Sequence, residues 1–312
     1  MDKLLDFFKG YFKIIGASGL TRKRTLSLIS LLRNCDPYHK TKFEASFKLS
    51  KSKACPCARI TNLDVAGYAR ISNKLFALRL NIYKEIIKRF GPVRNIECIF
   101  TALAVFLDNP LDIYFGADIQ DKLAIFNIWL KFGNMRKNGD IQIFTDGHKI
   151  VKQLLKAIGF SMPPYMANPK LRPPEIRGGE LFFAGLDLEN KGLLFKLYYI
   201  IKKKDIVSAR FASIIKYLDS NLSQLRYKCA YVYTFNRRGD CVKEKLCLEF
   251  QESIYFRKEN LKRIFPLFSA IIDYKPESLM KLFETADMPD GVRLSIISFE
   301  LDGTPTFYLI QG

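Results

Sequence analysis

Residues 180–203 read ELFFAGLDLENKGLLFKLYYIIKK. Two apolar and aromatic runs flank the polar tetrapeptide Glu189-Asn190-Lys191-Gly192, so the stretch reads as two strands joined by a turn. Successive side chains alternate across a strand. Leu194, Lys196, Tyr198 and Ile200 therefore share one face of the second strand, and Leu193, Phe195, Leu197 and Tyr199 share the other. One face carries a cation and a phenol; the other is mostly apolar.

The same pattern recurs at 42–63 (KFEASFKLSKSKACPCARITNL), 111–132 (LDIYFGADIQDKLAIFNIWLKF), 229–250 (CAYVYTFNRRGDCVKEKLCLEF) and 292–310 (VRLSIISFELDGTPTFYLI). These five segments, numbered as hairpins one to five in chain order, predict ten antiparallel strands. Between them lie amphipathic stretches at 4–15, 21–32, 71–90, 95–107, 146–159, 205–222, 258–274 and 276–285, each with helical periodicity. A long antiparallel sheet exposes two edges, and closure into a barrel removes them. A barrel of ten strands encloses a cavity instead of a packed core. The expected fold is thus α+β: a ten-stranded antiparallel barrel of five αββα repeats, helices outside and the polar strand faces inside. The proline-bearing stretch 161–179 reads as a crossover, because the hairpin pattern continues on both sides of it. Residues 1–312 are expected to form one barrel domain.

A hydrophobic fraction of 48% suffices for a core. Apolar runs stay short of the roughly 18–20 residues that span a bilayer, and Asp2, Lys3, Asp6, Lys9 and Lys13 break up the first eighteen residues, so no stable membrane insertion is expected. Seven cysteines without framework spacing suggest reduced thiols and a cytoplasmic setting. The net charge of +19 fits a solvated basic surface, nucleic acid, an anionic membrane surface, or a cavity for a polyanion such as diphosphate. The lysines are scattered through helices and strands, which makes nucleic acid the less favoured partner.

Several motifs then narrow the field. Glu44-Ala45-Ser46 followed by Arg59 resembles the E-x-S … R arrangement of indole and cyanobactin-peptide prenyltransferases. Lys196-Leu197-Tyr198 resembles the K-x-Y of their diphosphate-binding and tyrosine-shield strands. Residues 232–247, VYTFNRRGDCVKEKLC, resemble the VYPT-x-N … G … RLC stretch of small bacterial phenol and hydroxynaphthalene enzymes, and Ser161-Met162-Pro163-Pro164 is similar to a loop of theirs. Together with the repeat, these features resemble the ABBA-fold (PT-barrel) aromatic prenyltransferases. The pattern covers essentially the whole chain; the motifs are patchy. Asn127 stands where the resemblance implies a lysine, with Trp129 and Lys131 further along the strand, and hairpin five offers Tyr308 without a matching lysine.

The resemblance implies transfer of a dimethylallyl or geranyl chain from its diphosphate to a phenol, an indole, or a Tyr- or Trp-type peptide side chain. It implies no required cofactor, with Mg2+ as an optional companion of the diphosphate, and a monomer. Such chemistry needs cations placed in advance for the leaving diphosphate; Arg59, Lys196 and Lys245, with Lys131 and Arg293, are the candidates. It needs aromatic faces around an allylic cation, each worth roughly 0.5–2 kcal/mol; Trp129, Tyr198, Tyr233 and Tyr308 are the candidates, with Asn127 in the same pocket. It needs a base for the acceptor proton; Glu44 is the first candidate, Glu249 the second and Asp187 a weaker third. Glu44 can equally be a salt-bridge partner of Arg59 or Lys48. The alternatives to an enzyme are a basic nucleic-acid-binding protein and a non-catalytic carrier with the same barrel.

Other chemistries lack their residues. There is no DDxxD, no Walker sequence and no GxGxxG after a strand. Asp118-Ile119-Gln120-Asp121 reads as turn chemistry. Cys55-Pro56-Cys57 lacks a second ligand pair for zinc, and His39 and His148 are the only histidines.

Overall fold

The computed structural model describes residues 2–34, 41–50, 53–64, 73–90, 96–105, 112–135, 141–189, 192–221, 227–255 and 276–311. The expected helix at 258–274 and the turn residues Asn190 and Lys191 lie outside the described residues.

The ten long strands are β1 (Thr41–Ser50), β2 (Ala58–Asp64), β3 (Asp112–Ile119), β4 (Ala124–Lys131), β5 (Glu180–Glu189), β6 (Gly192–Ile201), β7 (Tyr227–Phe235), β8 (Cys241–Tyr255), β9 (Val292–Glu300) and β10 (Pro305–Gln311). Each pairs antiparallel with its neighbour in chain order, and β10 returns to β1 with Glu44 opposite Ile310 and Lys48 opposite Thr306. The sheet closes, so no long strand keeps a free edge. Strands from either side of residues 161–179 are neighbours, with Asn127 of β4 opposite Asp187 of β5. That segment is therefore a crossover on the barrel surface. It holds one short helix, Pro164–Ala167, and two single 3-10 turns.

Alternation along each strand sorts the side chains. On β1, Phe43, Ala45, Phe47 and Leu49 are fully buried under the helices, while Glu44, Ser46 and Lys48 point into the lumen. On β6, Phe195, Leu197 and Tyr199 are buried in the helix layer and Lys196 and Tyr198 face the lumen. The core is thus a shell between barrel and helices. Phe8 of the first helix (Asp2–Ile14), for example, packs edge-on against Phe43. Further helices span Gly19–Asn34, Asn73–Phe90, Ile96–Ala104, Gly147–Ala157, Ala209–Asn221 and Pro276–Glu284. Asp146, expected inside a helix, is instead the N-cap of Gly147–Ala157 and accepts from the Lys149 N–H at 3.1 Å.

Two hairpin turns show why their residues are there. Gly239 and Gly303 sit at φ +83° and +86°, a region that side chains disfavour. Asn236 and Asp302 fold back to accept backbone N–H groups within these turns. Among the described residues, no helix is long and apolar enough to cross a membrane, and the cysteines are free thiols.

Candidate active site

The lumen is layered along the barrel axis. At the hairpin-turn end, cations from four strands converge. Glu300 at the end of β9 accepts from Lys48 of β1 at 3.0 Å, contacts Lys243 of β8 at 2.6 Å and lies 3.6 Å from Lys245. Lys243 is at the rim, with a side chain 37% exposed, and Lys245 lies deeper at 15%. Arg59 of β2 pairs with Asp118 of β3 at 3.4 Å. Lys196 of β6 pairs with Asp187 of β5, and Asp187 also accepts from Asn127 Nδ2 at 2.9 Å.

These groups feel one another. Burial lowers the Lys245 ammonium to about 8; nearby Lys243, Lys196 and Arg59 push it down further, and Glu300 opposes them. Asp118 holds the Arg59 guanidinium firmly protonated against burial. Burial raises Asp118, with Arg59 acting the other way. Burial also raises Glu300, but its lysines outweigh that and leave it below the usual carboxylate range.

One step deeper the lining is aromatic. The Trp129 Nε1–H donates to the Tyr198 hydroxyl at 3.2 Å. Tyr198 meets Phe183 edge-on at 6.0 Å between centroids, and Phe183 in turn meets Tyr114 at 6.1 Å. Tyr308 enters from β10, opposite Ser46. Cys247 of β8 is near enough to act electrostatically on both Tyr198 and Tyr308, and burial pushes its thiol up to about 12.

The far end, toward the helix connections, holds buried carboxyls. Glu249 is four residues beyond Lys245 on β8, about 13 Å along the strand. Ser295 Oγ lies 3.0 Å from Glu44 Oε2 and 3.1 Å from the Tyr308 carbonyl, to which it donates when Glu44 is protonated. Burial raises Glu44 to about 8; Ser295 lowers it somewhat, and the neighbouring Glu249 raises it. Glu249 is raised too, chiefly by burial, with Lys131 and Lys228 opposing. Lys131 donates to the Tyr114 hydroxyl at 3.3 Å and lies 5.8 Å from that ring's centroid. Burial lowers its ammonium, while Asp112 and Glu249 raise it.

The expected residues therefore divide. Arg59, Lys196 and Lys245 meet at one end. Lys131 and Arg293 do not join them: Lys131 is at the carboxyl end, and Arg293 pairs across from Ile310, the neighbour of Glu44 on β1. Trp129, Tyr198 and Tyr308 line the middle, and Asn127 bonds within the Asp187–Lys196 chain. Tyr233 lies on the outer face, stacked against Tyr231, Phe235 and Tyr165 in the helix shell. Val232 takes the lumen position, opposite both Tyr198 and Lys245. A bulge at Thr234/Phe235 shifts the register of hairpin four, so Tyr233 falls opposite Glu244 instead of beside Lys245. Glu44 bonds to Ser295, while Arg59 and Lys48 pair with Asp118 and Glu300.

Asp118, Lys243 and Glu300 are site residues outside the sequence candidates, and Lys48 enters there only as an ion-pair partner of Glu44. Asp118 ends a strand and faces Arg59, whereas Asp121 is the turn residue and accepts from Thr21 Oγ1 at 2.6 Å. Lys243 and Glu300 carry a legible signal: each lies two residues from a lumen residue on its own strand.

No family model and no curated protein sequence matches the chain. Solved structures similar to it include two of the same protein. The crystal structure of NotF prenyltransferase superposes with a TM-score of 0.55 at 11% identity, covering 98% of this chain and 92% of that one. The crystal structure of NotF in complex with brevianamide F and DMSPP gives 0.52 at 10% identity, covering 97% and 91%. The chain folds as a PT barrel, the ten-stranded αββα architecture shared with the NotF prenyltransferase.

Proposed function

We propose that this barrel is an aromatic prenyltransferase that moves a dimethylallyl or geranyl chain from its diphosphate to an electron-rich acceptor: a phenol, an indole, or a Tyr- or Trp-type side chain of a peptide. One observation carries the reading. The closed lumen stacks a cationic end, an aromatic middle and a buried carboxyl end in the order that the reaction needs them. The fold shared with NotF supports it.

The diphosphate sits among Arg59, Lys196, Lys245, Lys243 and Lys48. Arg grips two oxygens at once and the lysines act as point charges. Asp118 and Asp187 keep Arg59 and Lys196 ordered before the ligand arrives, so little reorganisation accompanies binding there. The allylic C1–O bond breaks and its electron pair leaves with the diphosphate. The allylic cation lies among Trp129, Tyr198 and Tyr308, whose faces stabilise it and exclude water. An electron pair of the acceptor then forms the new bond to C1. The displaced acceptor proton passes to Glu44 once that group is ionised, with Glu249 as the second basic position. Asp118, Asp187 and Glu300 are each paired with Arg59 or a lysine, so those cations meet the charge of the diphosphate.

The test is incubation with dimethylallyl and geranyl diphosphate and a panel of phenols, indoles and Tyr- or Trp-containing peptides, read by mass. A prenyl increment that Arg59→Ala abolishes is expected. Tight diphosphate binding with no product from any acceptor points instead to a carrier.

A further inference from the structure

Gly116 and Gly185 sit in the middle of β3 and β5, where glycine weakens a strand and usually marks a close approach. Neither has a positive φ, so the backbone does not require glycine at either place. Space does. A Cβ on Gly116 falls 2.8 Å from Cζ3 and 3.1 Å from Cη2 of Trp129, and overlaps the Ile60 carbonyl. A Cβ on Gly185 falls 3.0 Å from Cδ1 and 3.2 Å from Nε1 of the same indole. The six-membered ring thus covers one glycine and the five-membered ring the other. The indole lies flat across three adjacent strands, and its Nε1–H is fixed by Tyr198. Both glycines are buried beneath it, while Trp129 itself keeps part of its surface open to the lumen. Gly185 is also directly opposite Lys196, next to the cationic end.

From this packing we propose that Gly116 and Gly185 are positioning residues that hold the Trp129 indole flat as a platform for the prenyl chain, immediately below the diphosphate. The inference rests on the prenyltransferase reading and adds the part of the donor that the indole contacts. A methyl group at either glycine tilts the ring off the wall and fills the space that the chain takes up.

Trp129 is the only tryptophan, so emission at its wavelengths reports on this platform alone. Wild type, Gly185→Ala and Gly116→Ala are titrated with geranyl diphosphate and, separately, inorganic pyrophosphate, following both emission and calorimetric affinity. Geranyl diphosphate is expected to change wild-type emission strongly, and pyrophosphate to bind with little change. Gly185→Ala is expected to weaken geranyl diphosphate at least tenfold and leave pyrophosphate within twofold. A Cβ at Gly185 meets side-chain atoms alone, crowding the Trp129 ring and reaching Lys196 Cβ at an ordinary contact distance of 3.5 Å, so Gly185→Ala serves if Gly116→Ala fails to fold. An equal emission change with pyrophosphate overturns the platform. So does a parallel loss of both affinities, which marks the glycines as supports of the barrel only. Both of these results leave the diphosphate site standing. Failure of both ligands to bind wild type overturns the prenyltransferase reading, and this inference with it.

Discussion

The Tyr11 hydroxyl lies between two strands of hairpin one: it accepts from the Arg59 backbone N–H at 2.9 Å and donates to the Ser46 carbonyl at 2.7 Å. Ser46 and Arg59 are opposite each other in the β1–β2 register, so the phenol replaces part of the ladder at the residue that leads the cationic end. In the next repeat a second helix tyrosine reaches an opposed pair, through two carbonyls. The Tyr83 hydroxyl donates to the Gly116 carbonyl and lies 3.1 Å from the Asn127 carbonyl, again an opposed pair.

Tyr11→Phe removes that bridge and leaves the Arg59 N–H without its acceptor. A buried unsatisfied backbone group costs about 1–3 kcal/mol. The expected result is a loss of that size in denaturant unfolding, together with a several-fold weaker affinity for pyrophosphate as Arg59 loses its fixed origin. Unchanged pyrophosphate affinity would separate Tyr11 from the site.

Lys245 titrates near 8 in the free protein because burial and its cationic neighbours disfavour the charged form. Its ammonium is therefore lost as pH rises through 8, well below the usual lysine range. Affinity for geranyl diphosphate is expected to fall between pH 7 and 9.5, and binding near pH 8 to take up a proton as the anion restores the charge. Calorimetry in buffers of different ionisation enthalpy reads that uptake. Lys245→Met should abolish it and flatten the profile, a comparison that also removes the ligand's own ionisation. A wild-type profile already flat over this range would contradict the assignment.

Glu44, raised to about 8 from 4.5, holds its proton at neutral pH in the folded chain but not in the unfolded one. Folding thus takes up a proton between those values, and stability falls as pH rises through that window. Glu44→Gln, which stays neutral, is expected to flatten this decline, on the order of a few kcal/mol over the window. The same substitution should lower turnover about 10²–10⁴-fold where Glu44 takes the acceptor proton. Wild-type turnover should rise with pH toward 8. Thermal melts and initial rates across pH 5–9 check both, and identical profiles for the two proteins would remove Glu44 from the mechanism.

Glu300 is the shared counter-ion of Lys48, Lys243 and Lys245. Glu300→Gln frees all three for the ligand. Pyrophosphate is expected to bind several-fold more tightly at low salt, and the free protein to melt at a lower temperature as the lysines repel one another. Weaker binding by Glu300→Gln would show that the carboxylate orders the lysines more than it competes for them.

The alternation of polar and apolar faces over ten strands is a local property, and so it was readable. Burial of one face of each hairpin under helices then dictates closure, because ten antiparallel strands otherwise leave two open edges. The same alternation assigned Glu44, Arg59, Trp129, Lys196, Tyr198, Lys245, Glu249 and Tyr308 to the lumen, where the register places them. Depth along the barrel is not local. It depends on the stagger between strands, which is why Lys131 and Arg293 are on lumen faces yet at the wrong end for the cationic group. Tyr233 fails for a smaller reason: one bulge in hairpin four turns a phenol outward and brings Val232 in. Asp118 was hidden because a strand end and a turn have the same composition when read alone.

The sequence by itself determined the repeat, the hairpins and the chemical character of each face, since these follow from a two-residue period and from which side chains tolerate water. Only the tertiary structure decided which carboxylate meets which cation, that Trp129 lies flat over Gly116 and Gly185, and that the lumen runs from cations through aromatics to buried acids. Those relationships join residues from strands far apart in the chain. They are set by the shear of the closed barrel, a quantity that no single stretch of sequence contains.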